Sequence, residues 1–199
     1  ATAKAGAGAG AAGALALPAL MPSDVCLMFF SSGSTGLPKG ILYDHTWLLG
    51  GCYFIARDLG ITRDTRCLLR CAYVWSVSVY DLFPATISGG VLVVPPPGGH
   101  MNVQYMARTI ERETIHVLVI QPTLLNLLLS EQRDSDRYPL RSLRHVVTSG
   151  EKLFTSTARA FVTCAGVNAR LWNCYGATEA GCTYYAVASG EAARLDRYT

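Results

Sequence analysis

Charge is scarce in this sequence: 16% of its 199 residues are Asp, Glu, Lys or Arg, and they sum to a formal +3 at neutral pH. The Lys and Arg residues are scattered, so no basic patch marks a nucleic-acid partner. Long apolar runs are missing too. The nearest, residues 11–21, is mostly alanine and is interrupted by Gly13 and Pro18, which argues against a membrane span. There is no CxxC pair. The seven cysteines, Cys26, Cys52, Cys67, Cys71, Cys164, Cys174 and Cys182, are odd in number and irregular in spacing, and most sit in apolar strings such as Val25-Cys26-Leu27. That pattern speaks for buried free thiols in the reducing cytoplasm rather than a zinc site or a disulfide framework. No Ser-His-Asp set of a hydrolase stands out.

What is present is apolar bulk. Half of the residues are hydrophobic, the composition of a packed globular domain rather than a disordered chain. Residues 1–22 are low-complexity and Ala/Gly-rich and read as a linker, leaving 23–199 as the folded part. The chain opens on Ala1 and stops abruptly at Thr199, as expected of a fragment of a longer protein.

From Asp24 onward, apolar runs alternate with amphipathic stretches. Strands are expected at 25–30 (buried), 41–43, 67–72, 91–94, 117–120, 144–148, 169–172 and 183–187. Helices are expected at 46–59, 78–87 (despite Pro84), 102–114 capped by Asn102, 123–129 after Pro122, and 155–164. A polar loop is expected at 173–179. Strand–helix alternation of this kind predicts an α/β layered domain with a largely parallel sheet and flanking helices, ligands binding at the carboxyl ends of the strands.

The most informative segment is Ser31-Ser32-Gly33-Ser34-Thr35-Gly36-Leu37-Pro38-Lys39-Gly40. Phosphate binding needs backbone N–H groups aimed into one small volume, and glycines allow that close approach. The hydroxyls of Ser31, Ser32, Ser34 and Thr35 add uncharged donors, and Lys39 adds a mobile point charge. The spacing is not that of a Walker loop, which needs Gly before the Lys and Ser or Thr after it.

This loop resembles the signature of the adenylate-forming superfamily: acyl-CoA synthetases, luciferases and the adenylation domains of nonribosomal peptide synthetases. Asn173-Cys174-Tyr175-Gly176-Ala177-Thr178-Glu179 is similar to the family's second signature, with Ala177 where proline is usual. Val147-Thr148-Ser149-Gly150-Glu151 is similar to its strand and turn beside the base, and His45 stands where many members carry a histidine. Gly89-Gly90 with Val91-Leu92-Val93-Val94-Pro95 and Gln121-Pro122-Thr123 lean toward the peptide-synthetase branch.

The resemblance implies part of the large N-terminal domain of such an enzyme. Its site would hold ATP through Ser31, Ser32, Gly33, Ser34, Thr35, Gly36, Lys39, Gly150, Glu151, Asn173, Tyr175, Gly176 and Thr178. Lys39, Thr178 and Glu179 would be catalytic, with Glu179 binding Mg²⁺. The acid would be lined by Ser76, Tyr80, Val119, Val147, Ser149, Cys174, Cys182 and Thr183. The implied reaction is ATP-dependent formation of an acyl-adenylate from a small carboxylic acid, followed by transfer to the thiol of phosphopantetheine on a carrier-protein domain or of CoA. Ser76 replaces the Asp that pairs with an α-ammonium in amino-acid-activating members. A hydroxyl cannot neutralise that charge, so an acid without an α-amino group is expected. The family's later T-G-D segment and its C-terminal domain with the catalytic lysine are not found in these residues, so this piece by itself is expected to turn over little. Two other readings stay open: an acyl-CoA synthetase of a fatty or aryl acid, and a non-catalytic nucleotide-binding remnant.

Overall fold

The computed structural model describes residues 18–32, 36–133, 140–164 and 169–187. The expected linker therefore lies almost wholly outside the described residues, as do Gly33, Ser34 and Thr35 at the centre of the first signature.

Two hairpins and a parallel sheet account for the strands. Val25–Ser31 (β1) and Lys39–Asp44 (β2) pair antiparallel as a separate two-stranded ribbon. Arg66–Leu68 (β3), Val91–Val93 (β4), Val117–Ile120 (β5), His145–Thr148 (β6), Arg170–Ala177 (β7) and Gly181–Val187 (β8) form one six-stranded sheet in the order β4-β3-β5-β6-β7-β8. The pairings from β4 to β7 are parallel, and β8 closes the sheet antiparallel to β7. The expected layered α/β class is thus found.

Helices cover both faces. His45–Asp58 (α1) starts on Asp44, whose carboxylate accepts from Trp47 N, and Ser78–Ile87 (α2) contains Pro84 in mid-helix. These two pack against Cys67, Val117 and Trp172. Val103–Arg112 (α3), capped by the Asn102 side chain as expected, Pro122–Arg133 (α4) and Thr155–Cys164 (α5) cover the other face, where Leu68, Leu118, Ile120, Val146 and Leu171 point. Alternate strand residues therefore feed two cores, the requirement for a sheet buried on both sides. None of the described helices is long and apolar enough to cross a membrane.

Three expectations are corrected. The strand at 25–30 is only partly buried: Val25, Met28 and Phe30 are more than half exposed, because the ribbon stands outside the main sheet and turns Phe29, with Cys26 and Leu27, toward the core. The strand expected at 67–72 stops at Leu68, because Asp81 of α2 takes the N–H groups of Arg70 and Cys71 that would have continued the ladder. The loop expected at 173–179 is strand as far as Ala177. Its polar side chains hid the alternation, and only 178–180 turn. That hairpin depends on Gly176: a Cβ there would sit 2.2 Å from the Gly181 carbonyl oxygen and 2.7 Å from Cys182 Cβ, so no side chain fits.

Candidate adenylate-forming site

The two signatures meet tip to tip. Ser31 and Lys39 face each other across the loop end of the β1–β2 ribbon. Ser31 Oγ donates to Glu179 Oε1 at 2.8 Å, reaching the tip of the β7–β8 hairpin. That hydroxyl, with Lys39 nearby, holds the exposed Glu179 carboxyl below its ordinary range. Further along β2, Tyr43 OH donates to Thr178 O at 2.6 Å. Thr178 Oγ1 lies 3.3 Å from Ser76 Oγ. Lys39, Thr178 and Glu179, far apart in sequence, are thereby gathered at one rim.

Beneath that rim lie two adjoining cavities. The outer cleft has about 640 Å³ of empty space and is walled by Tyr43, Trp47, Trp75 and Ser76 on one side and by Gly150, Gly176, Ala177 and Thr178 on the other. Tyr43 and Trp47, one helical turn apart across the β2–α1 junction, stack at 3.9 Å. The inner cavity is narrow and is lined by Ile55, Leu59 and Tyr184 together with the expected Tyr80, Val119, Val147, Ser149, Cys174 and Cys182. Val77, Tyr80, Ser149 and Cys182 line both, so the inner cavity adjoins the cleft. Neither is lined by a charged side chain among the described residues.

The inner wall carries two thiols on adjacent strands. Cys182 faces Gly176 across the hairpin, two positions along from Cys174 on the same face. Hydrogen bonds from the Cys174 thiol and the Tyr80 phenol hold Cys182 down to about 7 against the effect of burial. The partners move the other way: Cys174 is pushed up because it gives its hydrogen to Cys182 and is buried, and Tyr80 is pushed up chiefly by burial.

Several expected residues sit elsewhere. Glu151 accepts from Thr123 N at 3.1 Å and from Thr123 Oγ1 at 2.5 Å, so its carboxylate caps the first turn of α4. Asn173 bridges Tyr185 OH and Thr148 Oγ1. Thr183 turns away from Cys182 and donates to Tyr175 O, in the neighbouring groove beside Phe54 and Tyr185. The Tyr175 ring is 82% exposed and lines neither cavity. Conversely, Tyr43, Trp47, Trp75, Val77, Ile55, Leu59, Gly181 and Tyr184 line the site without having been singled out. The i, i+4 spacing of Tyr43 and Trp47 across a strand-to-helix junction was the one available signal.

Among the described residues no group of three or more His, Cys, Asp and Glu converges on a metal position. The donor set nevertheless suits Mg²⁺, which is commonly held by one or two carboxylates together with phosphate oxygens and water. Glu179 offers an exposed carboxylate at the rim.

Comparison with known proteins gives the same picture. The chain is 31% identical over 172 residues to an L-proline--[L-prolyl-carrier protein] ligase of Streptomyces coelicolor, covering 86% of this chain and 32% of that protein. It is 31% identical over 156 residues to tyrocidine synthase 3 of Brevibacillus parabrevis, covering 78% of this chain and 2% of the synthase. The chain thus spans about a third or less of the relatives it matches. Among solved structures, the nonribosomal peptide synthetase FmoA3 superposes with a TM-score of 0.77 at 25% identity, over 86% of this chain and 18% of that one. The N-terminal subdomain of Klebsiella oxytoca NpsA in complex with 3-hydroxybenzoyl-AMSN gives 0.74 at 25% identity, over 88% and 43%. A description of AMP-binding enzymes matches residues 3–198. A rim that unites two distant signatures agrees with that description, and the chain belongs to the AMP-binding enzyme family.

Proposed function

We propose that the protein containing this chain activates a carboxylic acid without an α-amino group as its acyl-adenylate and passes the acyl group to a thiol. The acid's carboxylate attacks the α-phosphorus of ATP and pyrophosphate leaves. The acyl group then forms a thioester with phosphopantetheine on a carrier protein, or with CoA, and AMP is released. The observation that carries this reading is the meeting of the two signatures: Ser31 and Lys39 on one hairpin meet Thr178 and Glu179 on the other, above a cleft beside Thr178 that adjoins a narrow apolar cavity. The carrier is favoured over CoA by the relatives, several of which are named as carrier-protein ligases or nonribosomal peptide synthetases.

The roles follow from the chemistry. The reaction develops charge on phosphate oxygens and needs no side-chain nucleophile, so aimed N–H groups and a cation lower the barrier. The backbone of Ser32, Gly33, Ser34, Thr35 and Gly36 and the ammonium of Lys39 would surround the leaving pyrophosphate. Thr178 would donate to the α-phosphate. Gly150 lines the cleft where the base would lie. Mg²⁺, held by Glu179 and phosphate oxygens, would neutralise charge on the transferring phosphate. Ser31, by fixing Glu179, would keep that carboxylate in place.

The test is ATP–pyrophosphate exchange on the intact protein with a panel of aryl, hydroxy, keto, fatty and α-amino acids. Exchange with at least one acid lacking the amino group is expected, with Lys39→Ala lowering it by about 10- to 1,000-fold. Preference for an ordinary α-amino acid would refute the acid class. A folded protein that shows no exchange and binds no adenylate analogue would refute the activity.

A further inference from the structure

Two thiols stand together in the wall of the narrow inner cavity. Cys174 on β7 and Cys182 on β8 both line it, beside Tyr80 and Ser149. Cys174 pairs with Tyr184 and Cys182 with Gly176, so the thiols are diagonal neighbours on one face of the hairpin. Gly176 has no side chain to stand between them, and Cys182 leans into its place: a Cβ on Gly176 would lie 2.7 Å from Cys182 Cβ. Their access to solvent differs. Cys182 is half-buried and also lines the outer cleft, whereas Cys174 is buried and does not line the cleft.

We propose that these two residues form a redox-active dithiol, in which Cys182 attacks a hydroperoxide and Cys174 closes a reversible disulfide. The step balances with hydrogen peroxide as the oxidant. The Cys182 sulfur attacks one peroxide oxygen, the O–O bond breaks, and the other oxygen leaves as water. Cys182 is then a sulfenic acid. The Cys174 sulfur attacks it, the S–S bond forms, the S–O bond breaks, and a second water carries off that oxygen with the Cys174 proton. Each thiol gives up one electron and the peroxide takes both.

The surroundings assign the two roles. Cys182 accepts from the Cys174 thiol and the Tyr80 phenol, which hold it near 7 against the effect of burial. The bond it gives to Cys182, and burial, push Cys174 up, and burial pushes Tyr80 up, so both keep a proton to donate. A low thiol within reach of solvent and beside a second thiol is the arrangement that favours sulfenic acid followed by a disulfide. Cys52, close to the same phenol, is fully buried and is raised by burial to about 12, which leaves it out of the reaction. The narrow cavity suits the oxidant, since hydrogen peroxide is little larger than water. Diagonal Cα atoms are about 7–8 Å apart and a disulfide favours about 5.5–6 Å. Closure therefore slides β8 along β7 and draws with it the turn at 178–180, which carries Thr178 and Glu179. A bridge closed against such a displacement is readily reduced again by a small thiol.

The experiment treats the reduced chain with hydrogen peroxide, quenches with N-ethylmaleimide and maps peptides by mass spectrometry without reduction. The expected product is a cross-linked Cys174–Cys182 peptide pair, lighter than the free peptides by the two thiol hydrogens, which dithiothreitol separates. Cys174→Ala should stop the reaction at a Cys182 sulfenic acid that dimedone traps. Cys182→Ala should slow oxidation of Cys174 by about 10-fold or more. A bridge from Cys182 to Cys52, or oxidation of Cys26 ahead of Cys182, would overturn the proposal. So would a Cys182 that runs on to sulfinic acid while Cys174 stays reduced. Mapping of the unsubstituted chain decides these outcomes even if a variant fails to fold. Oxidation needs neither ATP nor an acid, so its success or failure is separate from that of the adenylation reading.

Discussion

Cys182 is the side chain whose chemistry departs most from its sequence context. It lines both cavities and is held near pH 7 by Cys174 and Tyr80, whereas burial pushes Cys52 and Cys67 up to about 12 and Cys71 up to about 11. Reactivity follows the thiolate fraction and access. Iodoacetamide should therefore modify Cys182 with a midpoint near pH 7, and an acyl sulfamoyl-adenosine should protect it. Peptide mapping after brief labelling checks both, and a first adduct on Cys52, Cys67 or Cys71 would contradict the geometry. At this scale the site was largely legible. Lys39, Thr178 and Glu179, picked out in the two signatures, are gathered at one rim, and six of the eight expected acid-pocket residues line the inner cavity. Ser76 lines the adjoining cleft, and Thr183 faces away. Ile55 and Leu59 were not legible, because an apolar residue on the inward side of a helix looks the same over a core as over a ligand chamber.

Among the elements, α2 and β6 carry buried titratable groups that act on stability in opposite directions. Burial raises Asp81 to about 7, so its contribution is fully present at low pH and is lost as pH rises through 7. His145 accepts from Trp172 Nε1, and burial together with Arg170 and Arg144 lowers it to about 4. Its contribution is fully present above about 6.5 and is lost as pH falls toward 4. A shift of that size is worth about 3 kcal/mol for a fully buried group and less for one only partly buried, as here. Relative to the unsubstituted protein, Asp81→Asn should gain stability progressively as pH rises from 4 to 7. His145→Gln should gain it as pH falls across the same window, since Gln still accepts from Trp172. Urea unfolding at several pH values measures both difference curves, and slopes of the same sign would contradict the assignment. Asp81 also shows why element boundaries escaped sequence reading. The end of β3 is set by a carboxylate on α2, and periodicity within one segment carries no trace of such a partner. The extension of β7 to Ala177 escaped for a local reason: polar residues on both faces leave no alternation to read.

Across the whole molecule, alternation of apolar runs with amphipathic stretches was enough to predict the parallel sheet and its two helical layers. It could not place the β1–β2 ribbon outside that sheet, because strand partners are chosen by tertiary packing. The ribbon meets the β7–β8 hairpin at its tip through the Ser31–Glu179 and Tyr43–Thr178 hydrogen bonds. A ligand that contacts both tips should stabilise the folded state by mass action. At a concentration about 100 times its Kd, an acyl sulfamoyl-adenosine should add about 2.7 kcal/mol and raise Tm by about 5–10 °C. Differential scanning calorimetry with and without the ligand measures this. An unchanged Tm at saturation would show that the tips do not share the ligand.

Ser31 and Glu179 stand 148 positions apart along the chain. The last contact of the rim therefore waits until Glu179 has been synthesised and has left the exit tunnel. A chain emerging from the ribosome would have its ribbon and most of its parallel strands in place while Glu179 was still in the exit tunnel. Contacts this distant in sequence close late, after the loop entropy between them has been overcome. Nascent chains lengthened residue by residue should thus acquire compact cores well before they acquire affinity for an adenylate, which makes ligand capture a marker of completed translation of this region.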